Sequence, residues 1–257
     1  MSNKMTDDAK IDTLTNMYLP EPLHPDLLPY VQMHERMGKM IHHKWIVEIM
    51  YVEVFNKRIN TMYEHKKQAT EIAFAAQDWK QYIFLHERPY RLDALREIMD
   101  SAGFWDDPTP VFWDLLVTVW MDSENIHQNL DAWRDLWSVA PKSSDNGYGV
   151  IHPHVMDDDE LAAFQALPET VTVYRGASHR KVISGMSWTT DKTKAEWFAT
   201  RFTTPHQSKN IAKGSIAKKD ILCYLLGRGE SEVVAFPDDI EHIRVSRLFE
   251  RKKNVVS

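Results

Sequence analysis

The chain has 257 residues, enough for one or two domains with a sizeable core that needs no staples. Hydrophobic residues make up 43% and charged residues 26%, globular proportions that exclude wholesale disorder. With 31 bases against 37 acids the formal charge is −6, which excludes a globally basic nucleic-acid binder but not a local basic patch.

The N-terminal stretch MSNKMTDDAK has no apolar run, so no signal peptide is expected. Apolar runs such as 117–121 fall far short of a membrane span, so no membrane partner is expected. The lone cysteine, Cys223, excludes an internal disulfide and any multi-cysteine metal site, which fits a reducing, cytoplasmic setting.

In chain order, Ile41, Trp45, Ile49, Val52, Ile59 and Met62 recur at helical steps, widened by Ile46, Val47, Met50 and Val54, and predict a buried helix. Ile72, Ala76, Trp79, Ile83 and His86 predict a second, ending near Arg88 because Pro89 follows. Leu92, Leu95 and Met99 predict a third, with Gly103 as its C-cap. Thr109-Pro110 reads as an N-cap followed by proline at the first helical position. Trp113, Leu116, Trp120, Leu130, Trp133 and Trp137 continue at helical spacing, with a break near Asp122-Ser123 and a stop at Pro141. That spacing favours core over an exposed interaction surface for the tryptophans.

Residues 141–159 form a connector rich in Gly, Pro, Asn and Ser. The acids Asp157–Glu160 precede LAAFQAL and suit a helix N-terminus, and Pro168 ends that helix. From 171 the texture changes. VTVYR reads as a strand and Ser187–Thr190 as an extended piece. Asp191 caps a helix through about Phe202, with Ala195, Phe198 and Phe202 on one side. Strands are expected at 214–216, 221–225, 232–236 and 242–248. Cys223, within ILCYLL, reads as core. Gly227-Arg228-Gly229 reads as a turn that delivers Glu230. His42-His43 and His152-Pro153-His154 lack the spacing and further ligands of a metal site, and no metal is expected. The tail Arg251-Lys252-Lys253 reads as a solvated terminus.

Charge also divides the chain. Residues 1–167 hold 15 bases and 27 acids, and residues 168–257 hold 16 and 10. Seven of nine Trp precede residue 140, whereas seven of nine Gly lie at or after 147. The expected class is α+β, with a helical N-terminal unit over 1–145 and a small β-rich unit over 156–257.

Three pieces of the second half belong together: Val173-Tyr174-Arg175-Gly176, Ser187-Trp188-Thr189-Thr190 ahead of a capped helix, and Glu230-Ser231-Glu232-Val233-Val234. In this order and with these flanks they resemble the ADP-ribosyltransferase family, in its Arg–Ser–Glu class. That class has an Arg at a strand end, Ser-Thr-Ser opening a strand, and Glu-x-Glu starting a later one. The resemblance covers about residues 160–250 and implies a split-β catalytic unit. The whole chain also resembles bacteriophage proteins in general look, which would place it in a host cytoplasm.

The resemblance implies that NAD⁺ is the cosubstrate and that its nicotinamide–ribose bond is split. A carboxylate beside the developing oxocarbenium-like cation lowers the barrier electrostatically. By resemblance, Glu232 takes that role and grips a ribose hydroxyl, while Ser187 orients it. Arg175 would hold the phosphate side of the dinucleotide through its planar fork, with Gly176 and Thr189 completing the NAD-binding set. On an extended strand Glu230 and Glu232 would share a face, about 6.6 Å apart. Glu in the first place hints at an arginine acceptor, with Glu230 relieving the nucleophile of a proton.

The acceptor is then a macromolecule, expected to be protein, with nucleic acid the weaker alternative. If it is water, the protein is an NAD glycohydrolase. Two departures matter. Trp188 stands where the family has a small residue, and points either into the core or into the NAD cleft. The β-rich region is short, so the helical half supplies part of the pocket or that part is missing. A fold that kept its shape and lost the reaction, acting as an interaction or inhibitor module, is the alternative from another class.

Overall fold

The computed structural model describes residues 21–124, 126–143, 145–177, 184–201 and 209–248. The MSNKMTDDAK stretch, Phe202 and the Arg251-Lys252-Lys253 tail lie outside the described residues. The fold is mixed α and β, with antiparallel sheets, and contacts divide the chain into two compact units, 1–101 and 102–257. The division therefore falls before the Trp-rich helices rather than in the 141–159 connector.

The first unit is not purely helical. It holds an antiparallel sheet of β1 (Val31–His34), β2 (Gly38–His43) and β3 (Ile46–Glu48), in that order. The helix expected from Ile41 onward is replaced by this meander up to residue 48. Ile41 lies on β2 and Trp45 in the turn before β3, so their four-residue spacing fits a helix without either belonging to one. The turns decide. Gly38 takes φ +73° after the 35–37 loop, and the His34 ring accepts from the Arg36 and Met37 amides at 3.2 and 3.3 Å. His43 pairs with Ile46 across a two-residue turn. Ile49 and Val52, expected in the core, are more than half exposed.

Helix α1 (Asn56–Ala75) follows and is broken at Gln77, φ +56°. Asp78 then caps α2 (Trp79–Leu85) by accepting from the Gln81 amide at 3.0 Å. That helix ends three residues before Arg88, and His86 is already extended. α3 (Arg91–Ala102) is followed by Gly103 at φ +68°, as its C-cap position predicts. Leu23, Leu27, Ile41, Trp45, Ile46, Tyr51, Ile59 and Tyr63 form one core cluster of this unit, and Ile83, Leu95 and Ile98 of α2 and α3 are buried as well.

In the second unit α4 (Pro110–Asp122) and α5 (Leu130–Ser138) start and stop where Thr109-Pro110, Asp122-Ser123 and Pro141 predict. Trp113, Trp120, Trp133 and Trp137 are all at most 2% exposed, so they are core. A short α6 (His152–Val155) precedes α7 (Asp158–Gln165). α7 opens on a capping box in which Asp157 accepts from the Glu160 amide at 2.8 Å.

The sheet of this unit has six antiparallel strands: β4 (Thr170–Ala177), β5 (Ser187–Thr189), β6 (Asn210–Ala217), β7 (Cys223–Leu225), β8 (Glu232–Val234) and β9 (Glu241–Arg247). Their order is β7-β8-β5-β4-β6-β9, so β5 lies between β4 and β8. Helix α8 (Lys192–Arg201) packs on β4 through a bare backbone at Gly176. A Cβ there would meet the Ala195 carbonyl at 1.9 Å and the Ala199 amide at 2.5 Å. No helix among the described residues is long and apolar enough to cross a membrane.

Candidate active site

The order of the strands brings the three motif residues together. Tyr174 of β4 stands opposite Thr189 of β5, and Thr189 stands opposite Glu232 of β8. Ser187 is two residues from Thr189 along the same strand. Its hydroxyl donates to Glu232 Oε1, and Arg175 Nη1 donates to the Ser187 carbonyl. Arg175, Ser187 and Glu232 thus form one connected group drawn from three neighbouring strands.

The group is enclosed. Glu232 is only 5% exposed. A buried carboxylate needs charge or donors around it, and here Ser187 supplies one donor while Arg175 supplies favourable charge. Burial lowers the Arg175 guanidinium to about 10, against the opposing pull of Glu232, so Arg175 stays protonated at neutral pH. Arg175 also depends on Gly185: a Cβ at that position would sit 2.4 Å from Nη2.

Other predicted site residues serve the scaffold. Gly176 is the contact point for α8, as described above. Thr189 is buried and its hydroxyl donates to the Glu230 carbonyl at 2.6 Å while accepting from the Asp191 amide at 3.0 Å. It therefore ties the acidic segment to the start of α8. Trp188 is 2% exposed and its indole donates to the Gly185 carbonyl at 2.8 Å, so the large side chain lies in the core.

The expectation that Glu230 and Glu232 share a strand face does not hold. The turn Gly227–Gly229 is a single 3-10 turn, and Glu230 ends it at φ −96°, ψ −17°. Ser231 then takes φ +46°, a left-handed conformation uncommon for a residue other than glycine, and the strand begins only at Glu232. The Thr190 amide holds the Ser231 carbonyl at 3.1 Å. Glu230 is half-buried beside the group rather than in strand register with Glu232.

One neighbour was not anticipated. The Trp120 indole Nε1 donates to Glu232 Oε1 at 3.3 Å across 112 residues of sequence. Its helical spacing with Trp113 and Leu116 gave a core signal only, and nothing local marks the one indole that meets a carboxylate. Gly185 carried a faint signal, a glycine two residues ahead of Ser-x-Thr.

His43, His152 and Cys223 have structural partners. His43 accepts from the Trp45 amide at 3.2 Å, and its ring is bordered by Tyr30, Trp45 and Tyr63. The His152 ring contacts the Ile221 carbonyl at 2.8 Å. Cys223 is buried, its thiol contacts the Val155 carbonyl at 3.1 Å, and burial pushes its pKa well up. No group of three or more His, Cys, Asp or Glu able to hold a metal ion occurs among the described residues.

No family model, curated protein or solved structure matches this chain.

Proposed function

We propose that the chain is an NAD⁺-dependent mono-ADP-ribosyltransferase-like enzyme that passes ADP-ribose to a macromolecular acceptor, expected to be a protein. The observation that carries this reading is the convergence of Arg175, Ser187 and Glu232 from β4, β5 and β8. An anion-binding fork, a hydroxyl and an enclosed carboxylate are the groups that cleavage of a positively charged N-glycoside calls for.

In the reaction the bond between ribose C1′ and the pyridinium nitrogen breaks, and nicotinamide leaves neutral with the electron pair. Positive charge develops on the ribose, where the Glu232 carboxylate stabilises it. The acceptor nitrogen or oxygen bonds to C1′ and gives up its proton, for which Glu230, two residues before Glu232, is the candidate base. Arg175 holds the phosphate side of the dinucleotide, and its carbonyl contact at Ser187 couples that grip to the residue that orients Glu232. Water as the acceptor would make the same three residues an NAD glycohydrolase. Cytoplasmic location, in a host cell if the chain is phage-borne, belongs to the same reading, and the lone cysteine fits it.

The 5% exposure of Glu232 favours a second reading, a fold that kept the residues as a buried polar cluster and acts by binding a partner. One experiment separates the two. Nicotinamide release from NAD⁺ is measured for the purified wild type and Glu232→Gln, with and without host-cell lysate. Release that needs Glu232 supports the enzyme, and stimulation by lysate supports a macromolecular acceptor over water. Absence of both release and NAD⁺ binding leaves the second reading.

A further inference from the structure

We propose that Trp120 is a positioning residue for Glu232, a role that rests on the functional reading above. Trp120 is fully buried on α4, and its indole N–H donates to Glu232 Oε1, the oxygen that also accepts from Ser187. Two donors on one oxygen fix the torsion of the carboxylate and leave its charge directed rather than averaged.

The indole is itself held. Trp133 stands edge-on to it at 5.0 Å and 78°, and Trp137 at 5.9 Å and 85°. Packing on both neighbours defines one ring orientation. The contrast within this cluster is informative. Among the described residues the indole nitrogens of Trp133 and Trp137 are buried without a hydrogen-bond partner, whereas that of Trp120 meets a carboxylate. The cluster is thus an apolar mount that presents a single N–H to a single charged oxygen. A carboxylate that must face the ribose as charge develops gains from such a mount, because the donor is already in place and needs no reorganisation.

Trp120 touches Glu232 and not the phosphate-binding Arg175 in the bonds described, so its loss acts on the chemical step. The expected effect of removing the N–H is a fall in kcat of about 10- to 100-fold, with the KM for NAD⁺ within about twofold. Trp120→Phe removes the donor but also ring volume. 3-Benzothienylalanine at position 120 keeps the bicyclic outline and removes only the N–H, so it separates hydrogen bonding from packing.

The experiment has two readouts. The first is the ¹H–¹⁵N indole spectrum, with the Trp120 resonance assigned by its loss in Trp120→Phe. It is expected to move upfield in Glu232→Gln, because a neutral carbonyl accepts more weakly than a carboxylate. The second is nicotinamide release with NAD⁺ varied. A fall in kcat at unchanged KM in the benzothienyl protein supports the proposal. An unmoved resonance overturns it, as does a kcat retained or raised in that folded protein. If the wild type releases no nicotinamide, the functional reading fails, and the resonance alone decides whether Trp120 holds Glu232.

Discussion

The Thr189 hydroxyl donates to the Glu230 carbonyl at 2.6 Å, and this bond fastens the acidic segment to the strand beside it. The segment needs fastening, because Ser231 sits in a left-handed conformation that costs about 1 kcal/mol or more for a residue with a Cβ. Thr189→Val keeps the shape and removes the donor. It is expected to destabilise the protein by about 1–3 kcal/mol, since it leaves the Glu230 carbonyl and the Asp191 amide each short of a partner. Urea denaturation measures the loss, and nicotinamide release should fall with it as the Glu232 strand loses its lead-in. A variant with wild-type stability would show that the clamp is idle.

Gly185→Ala probes Arg175. The added methyl would lie 2.4 Å from Nη2 and 2.5 Å from Cζ, and the guanidinium, not the backbone, is what can move. Stability is expected to fall by about 1–3 kcal/mol, because the methyl crowds a buried site. NAD⁺ binding should weaken about tenfold or more, as bonds to a charged phosphate group are lost. Equilibrium binding of NAD⁺ to the two proteins checks this, and equal affinities would remove Arg175 from the binding set.

His43 makes the first unit sensitive to acid. Burial, with a contribution from Lys44, lowers its pKa to about 4, below the ordinary value of 6.5. The unfolded chain therefore binds the proton more readily, and stability is lost as pH falls from about 6.5 toward 4. The loss across that window is at most about 3 kcal/mol for this group, less where solvent screens it. Denaturant midpoints at pH 7 and pH 4.5 should differ for the wild type, and His43→Phe should narrow the difference. An equal difference in both proteins would assign the acid sensitivity elsewhere.

Cys223 offers a probe of opening. Its thiol is buried and its pKa raised by that burial, so the reactive thiolate is scarce at pH 8. Iodoacetamide should label the native protein slowly and the urea-unfolded protein fast, as read by mass spectrometry. Rapid native labelling would show that β7 is exposed in solution.

Much of the second unit was legible because its signals are local. Thr109-Pro110 and Asp157–Glu160 are helix starts written in adjacent residues, and VTVYR can bury little except as a strand. The first unit was harder. Ile41 and Trp45 keep helical spacing although one lies on β2 and the other in the turn before β3, and only the turn at Gly38 and the His43–Ile46 pairing reveal the hairpin. In the candidate site, Arg175, Ser187 and Glu232 were visible as motif residues. The conformation of Glu230 was not, because one residue at positive φ undoes the alternation on which a shared face depends. Trp120 was out of reach, since a buried indole looks alike at every helical core position until its neighbour is placed.

The strand that carries Glu232 is the last of the candidate site's elements in sequence, yet it lies inside the sheet between β7 and β5. Its contact with Trp120 closes a loop of 112 residues, and such closures come late because their entropy must be met before the contact rewards it. A growing chain would have made its helices and β4 long before β8 emerged. The cluster of Arg175, Ser187 and Glu232 would stay incomplete until β8 is made, and would form in a single step when that strand slots between β5 and β7.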